Sequence, residues 1–184
     1  QIFSALTETT HRQSSLKALL DIYRQEKDWV KAIPIARELE GSSTRNFESE
    51  IANYYCELAT TEYVHARHDK AQEYLLQALG TNRKCVRANI LLGEWAAKEG
   101  KHEQAVEIWK RIENQSPEHL GLVAENLLQS YREQGKLSEG LSLLRGFQER
   151  YPGLDLLNVV FQAMLETEGS ASAYKLVRDD LRRN

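Results

Sequence analysis

Residues Leu91 to Trp109 read LLGEWAAKEGKHEQAVEIW and give the clearest indication of the fold. Apolar residues recur at helical spacing on both sides of the polar segment KEGKH, which predicts two helices joined by a tight turn. Gly93 stands in the middle of the first helix, where glycine costs about 1 kcal/mol relative to alanine. A neighbouring helix that lies too close for a side chain would explain this glycine, and Ala105 is the matching small residue on the second helix.

The same helix–turn–helix unit occurs four times along the chain. Each copy carries a small residue in the second turn of its second helix, and these residues are Ala32, Ala71, Ala105 and Gly140. The successive intervals between them are 39, 34 and 35 residues. Pro117 and Pro152 recur 35 residues apart, each just past the second helix of its unit. A period of about 34 residues with two helices in each unit indicates an α-solenoid.

The first helix of each unit carries an apolar pair, as in the segments SLKALLDIY, YYCELATTEY, NILLGEWA and AENLLQSY. Together with the small residue of the second helix, this pattern resembles the tetratricopeptide repeat. The third unit matches best, because Leu92, Gly93, Ala105 and Pro117 all occupy motif positions. The resemblance implies an all-α fold, an α-solenoid of about five helix pairs wound into a right-handed superhelix.

The pattern predicts one tetratricopeptide-repeat array over residues 1–184. Residues 1–11 read as the tail of a truncated preceding repeat, because an apolar helical segment begins there without a start signal. The successive repeats are predicted at 12–41, 45–83, 84–117, 118–152 and 154–184. The last pair fits the pattern loosely, as expected for a terminal cap.

Composition excludes several classes of protein. The 184 residues include 24 Lys and Arg against 27 Asp and Glu, a net charge of −3 without a basic stripe, so no nucleic-acid partner is expected. No apolar run approaches the roughly 18 residues that would span a bilayer, so no direct membrane contact is expected from this chain. Cys56 and Cys85 are 29 residues apart, which favours two buried small residues in a reducing compartment over a zinc pair or a disulfide framework.

The sequence offers no catalytic residues and no metal ligands. It contains no phosphate-binding loop, no HExxH motif and no pattern typical of a serine or cysteine triad. His65 and His68 lie one turn apart without a third ligand and are expected on the surface. The three tryptophans are expected to pack in the core. We therefore expect a protein that is not an enzyme.

A partner-binding groove is expected instead, on the faces that the first helices turn toward the inside of the array. Its predicted residues are Lys17, Arg24, Asn53, Tyr63, Arg87, Ile90, Glu94, Glu125 and Arg132. The same offsets also place Cys56 on this stripe. Arg and Tyr are the usual hot spots of protein recognition, which favours Tyr63, Arg87 and Arg132. The alternative is a solvated face on which Arg and Glu side chains pair within the chain.

A more specific resemblance covers most of the sequence. The segment NYYCELA (Asn53–Ala59), with LLDIYRQEKDWVKAI before it and GEWAAKEGKHEQAVEIWKRI after it, resembles the cytoplasmic repeat region of the bacterial lipopolysaccharide assembly protein B family. EGSASAYKLVRDDLRR (Glu168–Arg183) resembles the last repeat of that family. The resemblance implies a parent protein that is anchored on the cytoplasmic face of the inner membrane. It also implies a four-cysteine module for iron or zinc outside this chain, and no cofactor within it.

The family resemblance implies an adaptor that regulates lipopolysaccharide synthesis. Such an adaptor presents the lipid A deacetylase to a membrane-bound AAA+ protease, so its partners are the protease, the deacetylase or other envelope-synthesis enzymes. The alternative is the repeat arm of an N-acetylglucosaminyl transferase-type protein, which would require a nucleotide-sugar domain outside this chain. Exposed repeat ends would also allow a dimer.

Overall fold

Helices make up most of the chain that the computed structural model describes, which is residues 12–42 and 45–183. They are α1 (Arg12–Gln25), α2 (Trp29–Ser42), α3 (Glu48–Val64), α4 (His68–Thr81), α5 (Val86–Lys98), α6 (His102–Lys110), the one-turn α7 (Ile112–Gln115), α8 (Gly121–Glu133), α9 (Leu137–Arg150), α10 (Leu154–Thr167) and α11 (Ser170–Arg183). A short 3₁₀ helix, Pro117–His119, precedes α8. No strand occurs within these described ranges, and the predicted all-α class is confirmed. The helix tail predicted at residues 1–11 lies outside them.

The described residues fall into two compact units that divide between Ala88 and Asn89, within α5. In the first unit, α1 packs on α2, α2 on α3, and α3 on α4. In the second unit, α6 and α9 both pack on α8, and α10 packs on α8, α9 and α11. Consecutive helices therefore pack as pairs in both units, as a tetratricopeptide repeat requires. The residue boundaries of the repeats stay predictions.

The turn between the two helices of each pair contains one residue in the left-handed backbone region. These residues are Lys27, Ala66, Gly100, Gly135 and Gly169, with φ between 56° and 84°. In the first four pairs the next backbone N–H bonds to a carbonyl five residues earlier, as Lys101 does to Ala96 at 2.9 Å, which is the Schellman pattern that ends a helix. The first four of these residues are separated by 39, 34 and 35 residues, the same intervals as the small residues of the second helices. Gly169 continues the series. The backbone thus repeats the sequence period and extends it to a fifth pair.

The small residues of the second helices lie in the core, as predicted. Ala32, Ala71 and Ala105 are fully buried, and Gly140 is buried as well. On α5, Gly93 faces the indole of Trp109, which is 1% exposed and donates its Nε1–H to the carbonyl of Ile90 at 3.2 Å. A Cβ on Gly93 would lie 2.2 Å from that nitrogen. The close approach that explains this glycine is therefore the approach of Trp109 from α6.

Glu62 departs from the repeat pattern, because it stands near the end of α3 where the other units carry small or apolar residues. Its side chain is buried and forms ion pairs with Arg67 and with Lys70, the latter at 3.2 Å. Burial alone would raise the pKa of the Glu62 carboxyl, but hydrogen bonds from Lys70 and Arg67 outweigh it and hold the pKa below the ordinary value of 4.5. Two cations at the α3–α4 turn thus make a carboxylate tolerable at this position.

This arrangement predicts a pH-dependent stability. Because the folded-state pKa of Glu62 lies below the unfolded-state value, its stabilisation is complete above the unfolded-state pKa and disappears as the pH falls through the folded-state pKa. Glu62→Gln should therefore lower the urea midpoint at pH 7, and this difference from the unmodified chain should shrink as the pH falls below about 4. Urea unfolding followed by circular dichroism measures both. A difference that stays constant down to about pH 3 would contradict the role of the charge.

Candidate functional site

The predicted groove residues of the first unit lie on α1, α3 and the start of α5. Lys17, Arg24 and Asn53 are exposed, whereas Tyr63 and Arg87 are half-buried. Their side chains are therefore accessible to solvent to different degrees. Whether they contact a partner stays a prediction.

Two of the favoured hot-spot residues in this unit already contact other side chains. Arg87 Nη1 lies 2.7 Å from Glu57 Oε1, and the ring of Tyr63 meets that of His68 edge-on with a centroid distance of 4.8 Å. The Arg87–Glu57 contact fits the alternative of arginine and glutamate pairing within the chain. The side chains of Arg87 and Glu57 are 41% and 37% exposed. Such a solvated pair is worth less than about 1 kcal/mol, so a partner carboxylate could replace Glu57 at small cost.

Cys56 does not belong to the exposed stripe on which the sequence pattern placed it. Cys56 is completely buried, and its thiol contacts the thiol of Cys85 instead of solvent. The helical offsets were correct, but the start of α5 lies close enough to α3 to cover this position. Burial of both cysteines, which composition predicted, is confirmed.

In the second unit, the structure brings two of the predicted residues together in one cleft. Glu125 and Arg132 lie on α8 and face α10 across a cleft of about 340 Å³. The lining residues are Glu125, Asn126, Leu128, Gln129 and Arg132 from α8, and Asn158, Val159, Gln162, Ala163 and Glu166 from α10. We call this the α8–α10 cleft. Ile90 and Glu94, the other predicted residues of this unit, are half-buried on α5 and do not line it.

The α8–α10 cleft combines an apolar floor with a polar rim. Leu128 and Ala163 are buried at its base. At the rim, Arg132 Nη2 lies 2.8 Å from Glu166 Oε2 across the cleft, and Arg132 Nη1 donates to Gln129 Oε1 at 3.1 Å. An arginine fork offers two parallel donors to a carboxylate, and amide side chains can bond to a peptide backbone. The arrangement suits an extended segment of a protein that carries an acidic group.

Sequence reasoning missed the half of this cleft that α10 supplies. Asn158, Gln162 and Glu166 follow one another at intervals of four residues, so they share one face of the helix. This spacing could have indicated a shared polar face on α10, but the groove was predicted only from the first helices of the four well-matched units. The loosely matched fifth pair therefore contributes site residues as well as the expected cap.

The described residues contain no cluster of three or more His, Cys, Asp or Glu side chains that could hold a metal ion. His65 and His68 are both exposed, as predicted. None of the described helices has both the length and the apolar character needed to cross a membrane.

Comparison with known proteins bears on the family resemblance. No family model matches the chain. Lipopolysaccharide assembly protein B of Escherichia coli (strain K12) is 29% identical over 184 residues, which is 100% of this chain and 47% of that protein. The protein of the same name from Haemophilus influenzae (strain ATCC 51907 / DSM 11121 / KW20 / Rd) is 32% identical over 142 residues, 77% of this chain and 36% of that protein. The chain thus spans about half, or less, of the curated relatives it matches.

Solved structures resemble the chain in fold. The N-terminal domain of stress-induced protein-1 (STI-1) from C. elegans has a TM-score of 0.53 at 12% identity, over 65% of this chain and 98% of that one. A crystal structure of MamA has a TM-score of 0.52 at 15% identity, over 89% of this chain and 92% of that one. At such identities the likeness concerns the fold alone. The chain therefore has the fold of a tetratricopeptide-repeat solenoid, and its sequence resembles lipopolysaccharide assembly protein B.

Proposed function

We propose that the chain is a non-enzymatic adaptor module that binds a protein partner during lipopolysaccharide assembly. The observation that carries the proposal is the α8–α10 cleft, in which an apolar floor, amide side chains and an exposed arginine line one recess. The sequence relatives, which are named for lipopolysaccharide assembly, supply the process. The absence of any catalytic motif from the sequence agrees with a binding role.

The finer proposal concerns the partner. In line with the family resemblance, the adaptor presents the lipid A deacetylase to a membrane-bound AAA+ protease from the cytoplasmic face of the inner membrane. The cleft would hold a segment of one of these proteins, with a carboxylate of the segment taking the place of Glu166 beside Arg132. Because the Arg132–Glu166 pair is exposed on both sides, the exchange costs little. The alternative of a transferase arm has no further observation in its favour.

Arg132→Glu is expected to weaken binding of the purified lipid A deacetylase at least tenfold, because arginine is a common hot spot of protein interfaces and tenfold corresponds to about 1.4 kcal/mol. The matched control is Arg145→Glu. Arg145 also forms an exposed ion pair, with Glu168 at 2.9 Å, but it does not line the cleft. Both variants lose one pair and change the net charge equally. The dissociation constants, measured by titration calorimetry, should differ between them by the full factor.

Two outcomes would count against different parts of the proposal. Equal weakening by Arg132→Glu and Arg145→Glu would remove the cleft as the binding site while leaving an adaptor in place. Binding of neither the deacetylase nor the protease by the unmodified chain would contradict the partner assignment. The dimer that exposed repeat ends would allow is a separate question, which sedimentation of the same samples tests. A monomer at the concentrations of the titration would count against it.

A further inference from the structure

Cys56 and Cys85 lie side by side although they are 29 residues apart in the sequence. Cys56 is on α3, and Cys85 directly precedes α5. Their sulfur atoms are 3.8 Å apart, and both cysteines are free. Both belong to the first compact unit. A reversible disulfide requires a second thiol at about this distance. Neither the repeat pattern nor the proposed adaptor function accounts for the proximity of the two cysteines.

The two sulfur atoms have different environments. Cys85 occupies the position before the first turn of α5, where the backbone N–H groups of Arg87 and Ala88 favour the charged form of its sulfur. The hydrogen bond from the Cys56 thiol lowers the pKa of Cys85 to about 7, with further help from those N–H groups and the Arg87 guanidinium and against the effect of burial. A thiol at a helix N-terminus beside a cation is the usual setting of a reactive cysteine.

Cys56 is the complementary partner. Donation of its S–H to Cys85, together with burial, raises the pKa of the Cys56 thiol, so this thiol stays protonated. The residue is 0% exposed, whereas Cys85 is 7% exposed. Of these two buried cysteines, Cys85 is thus the one nearer solvent, and its sulfur is also the one whose environment favours the thiolate. Exposure and environment therefore both favour Cys85 as the first sulfur to react.

We propose that Cys56 and Cys85 form a reversible oxidation site for a small hydroperoxide, in which Cys85 reacts with the oxidant and Cys56 closes the disulfide. The site lies within the first unit and is separate from the α8–α10 cleft. The proposal does not depend on the adaptor function.

The reaction balances in two steps. The Cys85 thiolate attacks one oxygen of hydrogen peroxide, the O–O bond breaks, and hydroxide leaves and takes a proton to form water, so the sulfur is oxidised to a sulfenic acid. The Cys56 sulfur then attacks the Cys85 sulfur, the S–O bond breaks, and the hydroxyl leaves with the Cys56 proton as a second water. Two thiols and one peroxide give one disulfide and two waters. A dithiol reductant reverses the change by thiol–disulfide exchange.

The geometry requires a small movement. The sulfur atoms have to close from 3.8 Å to the bonded distance of about 2.05 Å. The new bond would tie α3 to the start of α5 and enclose α4 in the closed loop. Glu57 and Arg87, which form an ion pair across the same two helices, are close in sequence to the two cysteines. Oxidation would therefore fix the surface that carries this ion pair, and the melting temperature of the oxidised chain should rise.

The test exposes the unmodified chain to dilute hydrogen peroxide and follows its intact mass and peptide map. The expected result is a loss of about 2 Da, one peptide pair joined through Cys56 and Cys85, and full recovery with dithiothreitol. The melting temperature, measured in the same samples, should rise on oxidation and return on reduction. Thiols that remain fully alkylatable under conditions that oxidise a low-pKa cysteine would overturn the proposal, as would a disulfide formed only between chains.

Two single variants test the order of the steps. Cys56→Ala removes the resolving thiol, so a sulfenic acid should accumulate on Cys85 and be trapped by dimedone. Cys85→Ser keeps a hydroxyl that can cap α5 and should leave Cys56 untrapped. Trapping on Cys56 and not on Cys85 would overturn the assignment. If a variant fails to fold, the mass and peptide map of the unmodified chain still decide whether the disulfide forms.

Discussion

Gly93→Ala is expected to lower the free energy of unfolding by about 3 kcal/mol, although alanine is the better helix former by about 1 kcal/mol. The added Cβ would lie 2.2 Å from Nε1 and 2.4 Å from Cε2 of Trp109. Because this indole is buried, it cannot move into solvent to make room. Overpacking of a core costs roughly 1–3 kcal/mol, and loss of the buried hydrogen bond to the Ile90 carbonyl costs a similar amount.

A double-mutant cycle isolates the cause of this loss. In a Trp109→Leu background the indole is absent, so Gly93→Ala should cost less than it does in the unmodified chain, by about 1 kcal/mol or more, a coupling typical of residues in contact. Urea unfolding of the four proteins gives the required free energies. Equal costs in both backgrounds would mean that the clash with Trp109 does not determine the need for glycine.

The fold could be predicted from the sequence because the repeat places small residues where helices meet. Gly93 and the four small residues of the second helices identified the helix crossings, and each is buried where the pattern put it. The pattern did not identify the group that faces Gly93, because a glycine indicates only that there is no room for a side chain. In the structure, the indole of Trp109 occupies that space.

The candidate site could be predicted only in part, for a related reason. Helical offsets place Glu125 and Arg132 on one face of α8, but the cleft also needs α10, whose distance from α8 depends on how neighbouring pairs pack. The same reason explains the cysteines. Cys56 and Cys85 belong to successive pairs, and no local spacing indicates that the start of α5 reaches α3. The period and spacing of a repeat sequence therefore do not predict which residues of neighbouring helix pairs contact one another.

Gly140→Ala is expected to destabilise the chain by about 2 kcal/mol, although it would restore the alanine that the other three units carry at this position. A Cβ at Gly140 would lie 2.7 Å from Cβ and 2.8 Å from Cγ and Cδ2 of Tyr131 on α8. The Cβ of Tyr131 is fixed to its backbone, so α8 and α9 would have to separate. Substitution toward a repeat consensus usually stabilises a protein, and here the contact reverses the sign.

Gly146→Ala on the same helix provides the matched control. The nearest atom to a Cβ at Gly146 is the flexible Arg150 guanidinium at 3.9 Å, so this change should stabilise α9 by roughly 0.5–1 kcal/mol through helix propensity alone. Thermal and urea unfolding of both variants should therefore give opposite signs. Tyr131→Ala should remove part of the cost of Gly140→Ala, because it deletes Cγ and Cδ2 but keeps the Cβ contact. If both glycine variants stabilise the chain, α8 approaches α9 less closely than the Tyr131 contact implies. Packing would then not explain why the fourth unit carries glycine at position 140.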